Sequence, residues 1–306
     1  MITLGIDTSN YTTSAATYDG TSFVQSRKIL DVKEGMRGIR QSDGVFIHNK
    51  ELPRMMEERL AAVDRRIDAV GVSTRPRSVS GSYMPVFTVG HGYARAVSAA
   101  LGVPIYEFSH QDGHLMAGIY SANAWELLNQ PFISVHLSGG TTEILRSEYN
   151  GHGFASEIIG GTLDISAGQL IDRIGVYMGM KFPCGKALEA LAEETDETIK
   201  LPFSIKGGYM NLSGIETKLS KDISGPDAVI ARTVLVYVTD VLKKTIGSAM
   251  KETGLKKVLL AGGVASNGII RTGLRKGLDS EVYFASRELS TDNAVGIAIL
   301  AARKVD

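Results

Sequence analysis

Apolar residues along this chain alternate with polar ones in short runs that predict strands. In longer runs they recur three and four apart, which predicts helices. Residues 2–6 and 14–18, rich in Ile, Leu, Ala and Thr, read as two strands joined by the polar turn Asp7-Thr8-Ser9-Asn10-Tyr11-Thr12-Thr13. The same pattern returns at 133–151. Ile2, Leu4 and Ile6 correspond to Ile133, Val135 and Leu137 at one constant offset. At that offset the turn becomes Ser138-Gly139-Gly140-Thr141-Thr142, and Tyr18-Asp19-Gly20 becomes Tyr149-Asn150-Gly151. Such a repeat predicts two related α/β domains, each presenting a hydroxyl- or glycine-rich hairpin to a shared cleft; two unrelated amphipathic hairpins are the alternative.

Between the repeats, helical spacing of Leu52, Met55, Met56 and Leu60 predicts a helix over 51–62 with Pro53 in its first turn. A strand over 67–73 runs into Thr74-Arg75-Pro76-Arg77-Ser78, where two arginines face either an anion or solvent. A helix over 91–101 and a strand over 104–108 follow. After the second hairpin, a helix is predicted over 163–180, with Asp164, Gly168 and Asp172 on one face. A helical glycine costs about 1 kcal/mol against alanine, so close approach of a backbone or a ligand is expected at Gly168. Residues 181–186 read as a turn holding an inert Cys184, and 203–217 as a loop or short hairpin. A long helix covers 227–253. The strand 257–260 then feeds Ala261-Gly262-Gly263-Val264-Ala265-Ser266-Asn267-Gly268 and a helix from Ile269, a design able to cradle a nucleotide at the helix N-terminus or simply to pack. A strand over 282–285 precedes a closing helix over 294–303, with Ser290 as its N-cap and Asp292 in its first turn. The pattern is interrupted near 121–131, so domains are drawn at 1–125 and 126–306, with the last helix packing back on the first domain.

Composition narrows the function classes. With 306 residues the chain is long enough for two domains, and 33 basic against 33 acidic side chains give no global field for nucleic acid or an anionic membrane. The opening Met-Ile-Thr-Leu-Gly-Ile-Asp shows no basic segment followed by a long apolar run, so a cytoplasmic location without a membrane anchor is expected. A single cysteine excludes an intramolecular disulfide and a cysteine-based zinc cage.

The candidate chemistry centres on His110 and His114. If a helix opens near Gln111, histidines four apart lie one turn above the other and both reach a single cation. Two ordinary helix histidines are the bland alternative, and the rest of the chain decides between them. Gly5-Ile6-Asp7-Thr8-Ser9 at the start, His110-x-x-x-His114, Ser138-Gly139-Gly140-x-Thr142, Asp164 with Ala167-Gly168 and Asp172, Pro183-x-Gly185, Leu212-Ser213-Gly214, Ala261-Gly262-Gly263-Val264 through Asn267, and Thr291-Asp292-Asn293 run in one order across nearly the whole chain. In that order they resemble the TsaD family of tRNA threonylcarbamoyladenosine transferases, once described as O-sialoglycoprotein endopeptidases.

The resemblance implies an actin/Hsp70-like (ASKHA) fold, two duplicated α/β domains around a nucleotide cleft. It implies one iron or zinc ion on His110, His114 and Asp292. Nucleotide or substrate contacts carry over to His136, Leu137, Ser138, Gly139, Gly140, Asp172, Gly185, Gly262, Gly263 and Asn267, with ATP, ADP or an acyl-adenylate as the bound nucleotide. The implied reaction carries a threonylcarbamoyl group from its adenylate to N6 of adenosine 37 in tRNA. The implied partners are tRNA and other threonylcarbamoylation proteins, or a second copy of the chain.

There are departures. Where the family usually has Cys-Asp-Glu-Thr the chain has Asn10-Tyr11-Thr12-Thr13; the family Gly-Pro-Gly turn is Arg75-Pro76-Arg77; the histidine of its Ser-Gly-Gly-His-Thr is Thr141. The C-terminal tail usual in bacterial members has no counterpart. A paralogue performing another carbamoyl or acyl transfer, or a non-catalytic nucleotide-binding subunit, are therefore the alternatives. The peptidase description finds no HExxH helix to support it.

Overall fold

The computed structural model describes residues 1–31, 39–64, 66–221 and 225–305. The chain forms two compact units: Met1–Asn123 with Tyr149–Ala155 and Thr291–Asp306, and Ala124–Glu148 with Ser156–Ser290.

In the first unit, strands β1 (Thr3–Thr8), β2 (Thr12–Tyr18), β3 (Phe23–Ile29), β4 (Ala69–Arg75) and β5 (Ile105–Ser109) form one sheet in the order β3-β2-β1-β4-β5. β1, β2 and β3 are an antiparallel meander; β4 and β5 lie parallel to β1. Helices α1 (Gln41–Ala61) and α2 (Phe87–Leu101) cover one face, where Leu4, Ile6, Val70 and Val72 pack against Leu52, Met55, Met56 and Val89. Helix α3 (His110–Ser121) follows β5 directly, and it packs against the helix that closes the chain (Val295–Val305), which also lies on β1 and β4. That closing helix touches α3 so closely that a Cβ on Gly296 would collide with the Gly113 carbonyl.

The second unit repeats this plan. β6 (Phe132–Leu137), β7 (Thr142–Tyr149) and β8 (Phe154–Thr162) form the meander. The short β9 (Ile205–Lys206) and β10 (Tyr209–Met210) extend the sheet beyond β8, and β11 (Lys257–Ala261) and β12 (Glu281–Phe284) lie on the β6 side. The order is β12-β11-β6-β7-β8-β10-β9, with β11 parallel to β6 and to β12. Helices α4 (Ala167–Tyr177), α5 (Gly185–Ala192), α6 (Ser213–Lys221), α7 (Asp227–Thr253) and α8 (Gly268–Gly277) surround it, and the closing helix of the chain is α9. Among the described residues, no helix is long and apolar enough to cross a membrane.

Several expectations are corrected. The helix placed at 51–62 begins at Gln41, so Pro53 sits inside it rather than in its first turn. Its earlier inward positions are Gly44 and His48, which an apolar count passes over. The helix placed at 163–180 begins only at Ala167, because Ser166 caps it in a reciprocal box with Gln169. Asp164 therefore lies outside α4. It accepts from the backbone of Leu212 and Ser213 and the Ser213 hydroxyl, and so tethers the start of α6.

Candidate metal centre

The two histidines are presented by the junction of β5 and α3. Ser109 caps α3: its Oγ accepts from Asp112 N, while Asp112 Oδ2 accepts from Ser109 N at 2.8 Å. Asp112 is pinned further by Ser78 Oγ at 2.9 Å and Phe154 N at 2.9 Å. A first turn fixed from three sides sets His110 and His114 on one face, with their Nε2 atoms 3.0 Å apart.

Asp292 completes the cluster, with Oδ1 lying 3.2 Å from His114 Nε2 and 3.5 Å from His110 Nε2. It does so from the loop before α9, not from the helix. The first turn of α9 is capped instead by Asn293, whose Oδ1 accepts from Val295 N and Gly296 N, while the expected cap Ser290 donates to Ala285 O. Freed from the helix, the Asp292 side chain is held by Ser9 Oγ, 2.8 Å from its Oδ2.

One atom from each of the three residues lies within 4.8 Å of the others. Donors about 2.0–2.1 Å from one tetrahedral ion sit roughly 3.3 Å apart, and the three separations found here bracket that value. Two imidazoles and a carboxylate also suit zinc or iron chemically. The residues fit a single ion.

One contributor escaped the sequence reading. Asp7, fully buried at the end of β1, places Oδ1 2.9 Å from His110 Nδ1 and also accepts from the Ser73 hydroxyl. A carboxylate there keeps the ring proton on Nδ1 and turns the Nε2 lone pair toward the other donors, the usual carboxylate–histidine support of a metal ligand. Burial alone would depress the His110 imidazolium, but the carboxylates of Asp7 and Asp292 outweigh it and hold its pKa well above the ordinary value. Burial would raise the Asp292 carboxyl, yet its hydrogen bonds to the two histidines and their charge carry it well below. The sequence hints of Asp7 were its place at the end of a strand opening on a polar turn and within the Gly5–Ser9 motif of the resemblance, neither of which assigned it a role.

The remaining predicted residues lie in the second unit. His136 and Leu137 end β6; Leu137 is fully buried in the core, so only its backbone is available to a ligand. Ser138 N donates to Thr141 O and Thr141 N to Ser138 Oγ, which closes the turn. Gly139 and Gly140 at its tip are exposed, and a Cβ on either meets nothing within 4 Å. Helix α4 packs under this turn. Ser166 Oγ donates to Gly139 O at 2.7 Å, Ala167 N donates to Thr142 Oγ1, and a Cβ on Gly168 would sit 2.5 Å from Gly139 Cα. The close approach expected at Gly168 is therefore to backbone.

Gly262 adopts φ +107°, and a Cβ there would strike the Leu137 carbonyl, which brings the Gly262-Gly263 turn against the end of β6. At the N-terminus of α8, where a nucleotide cradle or simple packing was expected, the first amides are engaged within the chain. Asn267 Oδ1 already accepts from Ile269 N and Ile270 N, and Glu189 Oε1 accepts from Gly268 N at 2.6 Å, so those three amides have partners within the chain. Asp172, its carboxyl raised by burial, accepts from Cys184 N just before Gly185 opens α5. Glu189 on α5 in turn ties Gly185's helix to Gly268.

The fold is actin/Hsp70-like, of the ASKHA type, and the chain resembles solved structures of that class over nearly its whole length. It covers 99% of itself and 55% of full-length HypF in the phosphate- and nucleotide-bound form, at TM-score 0.59 and 18% identity. Against component A of (R)-2-hydroxyglutaryl-CoA dehydratase from Acidaminococcus fermentans it covers 99% of itself and 98% of that chain, at TM-score 0.57 and 16% identity. These likenesses concern the fold. In sequence, the family model TsaD, described as tRNA N6-adenosine threonylcarbamoyltransferase, matches residues 37–299. A relative bearing that description from Thermus thermophilus is 32% identical over 316 aligned positions, covering 99% of this chain and 93% of the relative. The chain belongs to the TsaD family and is an enzyme of the acyltransferase class.

Proposed function

We propose that this enzyme transfers a threonylcarbamoyl group from threonylcarbamoyl-AMP to N6 of adenosine 37 in tRNA. The observation that carries the reading is the convergence of His110, His114 and Asp292, in a chain of this family, on positions that fit one ion. His110 Nε2, His114 Nε2 and an Asp292 oxygen would hold iron or zinc. Bound there, it would supply Lewis-acid polarisation of the acyl carbonyl. Asp7 keeps the His110 proton on Nδ1, and Ser9 keeps the Asp292 carboxylate turned toward the histidines. In the second unit, the exposed Gly139 and Gly140 tip offers backbone donors to the phosphate of ATP, ADP or the acyl-adenylate. Gly185 leaves open space at the start of α5. The partners in this reading are tRNA together with other threonylcarbamoylation proteins or a second copy of the chain, in the cytoplasm.

The deciding experiment expresses the protein in cells depleted of their own enzyme and quantifies the modified nucleoside by mass spectrometry. Restored modification is expected; its absence sinks the proposal. A second reading, transfer of another carbamoyl or acyl group by a paralogue, rests on the β1–β2 turn. Where the resemblance expects acidic residues, Tyr11 is exposed and Thr12 is buried. Modification of tRNA at normal efficiency removes the need for it.

A further inference from the structure

Asp292 reaches the two histidines from a loop, so something outside the donor set must fix its carboxylate. Ser9 does so directly, and what fixes Ser9 lies on another element. His48, on α1, is fully buried, with Nε2 2.9 Å from the Ser9 carbonyl oxygen and Nδ1 2.7 Å from Thr13 Oγ1. A carbonyl oxygen only accepts, so Nε2 carries the proton and Nδ1 takes the Thr13 hydroxyl hydrogen. Both ring nitrogens are thus committed to the two ends of the β1–β2 turn, and Ser9 Oγ passes the constraint on to Asp292 Oδ2 at 2.8 Å.

The inward face of α1 otherwise presents Gly44, Leu52, Met55 and Met56, where an apolar side chain at 48 would pack without needing partners. A histidine at such a position is explained by what it binds. Burial depresses its pKa, which favours the neutral ring that this pair of bonds requires.

We infer that His48 is a positioning residue for the metal centre: through the Ser9 backbone and hydroxyl it sets the Asp292 carboxylate against the His110 and His114 Nε2 atoms. The inference rests on the metal-binding reading of those three residues. It implies that substitutions on α1 change affinity for the ion without touching a ligand.

The test measures zinc affinity of the purified full chain by competition with a chromophoric chelator, the absorption bands of the cobalt(II)-loaded protein, and thermal unfolding alongside. His48→Gln, whose amide N–H replaces the Nε2 donor, should bind zinc within about threefold of wild type, whereas His48→Leu and Ser9→Ala should bind roughly 10- to 100-fold more weakly. The cobalt bands should shift in His48→Leu and Ser9→Ala but not in His48→Gln. Wild-type affinity and unshifted bands in both His48→Leu and Ser9→Ala overturn the inference while leaving the metal centre standing. A wild-type chain that takes up no zinc overturns the metal reading itself, and the inference with it. Should His48→Leu fail to fold, Ser9→Ala and Thr13→Val, which cut the same chain of bonds at smaller side chains, decide the matter.

Discussion

Asp7 separates the chemistry of the donor set from its geometry. Its carboxylate accepts from His110 Nδ1; the amide of Asp7→Asn, of the same size, turns an N–H toward that nitrogen as readily as an oxygen. The proton then shifts to Nε2, the atom needed for an ion. Zinc affinity of Asp7→Asn, read by chelator competition, should fall roughly 10- to 100-fold, and an unchanged affinity would show that the pair plays no part in binding. At the second unit's turn the clean probe is Gly140, because a Cβ there meets nothing in the protein. Gly140→Ala should leave the unfolding temperature unchanged and weaken ATP or ADP binding roughly 10- to 100-fold by calorimetry, since the added methyl intrudes only on a ligand. Equal affinity would remove this turn from the ligand site. The neighbourhood of His110 and His114 was legible from their spacing alone, whereas Asp292 joined them only through the family resemblance. Asp7 and His48 were not legible, because each acts on a residue that lies far along the chain, and no local periodicity encodes such a pairing.

Elements were read well where a long amphipathic period spoke for itself, as in α7, which spans Asp227–Thr253 as expected and stops at Gly254 in the left-handed region. They were misread where polar residues do the shaping. β3 was missed because Phe23–Ile29 is an edge strand without a buried alternating face, and β8 because Gly160-Gly161 looks like a turn. Asp164 illustrates the same limit: counted as a helical position, it is instead the anchor of α6. Burial would raise its carboxyl, but the two backbone amides and the hydroxyl that donate to it at Leu212 and Ser213 outweigh that and hold its pKa far below the ordinary carboxylate value. A depressed pKa stabilises the folded state above the ordinary carboxylate value, and that stabilisation is lost as pH falls through the folded-state value. Asp164→Asn should therefore unfold more easily at neutral pH, by about 1 kcal/mol as for a lost cap. The gap from wild type in denaturant unfolding should narrow once the pH is taken well below 3.8. A gap that is constant down to strong acid would mean that the charge on Asp164 does not matter to α6.

At the scale of the whole molecule, the duplicated hairpin was the most informative pattern in the chain: it corresponds to two sheets built on one plan, β3-β2-β1-β4-β5 and β8-β7-β6-β11-β12. What the linear pattern did not show is that the first unit draws in Tyr149–Ala155, since a return of the chain leaves no mark in local periodicity. The charge balance bears on how such an enzyme meets tRNA. Nucleic-acid affinity grows with the number of phosphates neutralised, and each neutralised phosphate steepens the salt dependence. With 33 basic and 33 acidic side chains the chain brings no net excess to that task. The isolated protein should bind tRNA more weakly than about 1 μM at physiological salt, with a shallow slope of log affinity against log salt, by fluorescence anisotropy. A basic partner subunit should both tighten binding and steepen the slope, because it supplies the missing cations. Tight binding by the chain alone, with a steep slope, would instead locate a concentrated basic surface on this protein and make a partner unnecessary for docking.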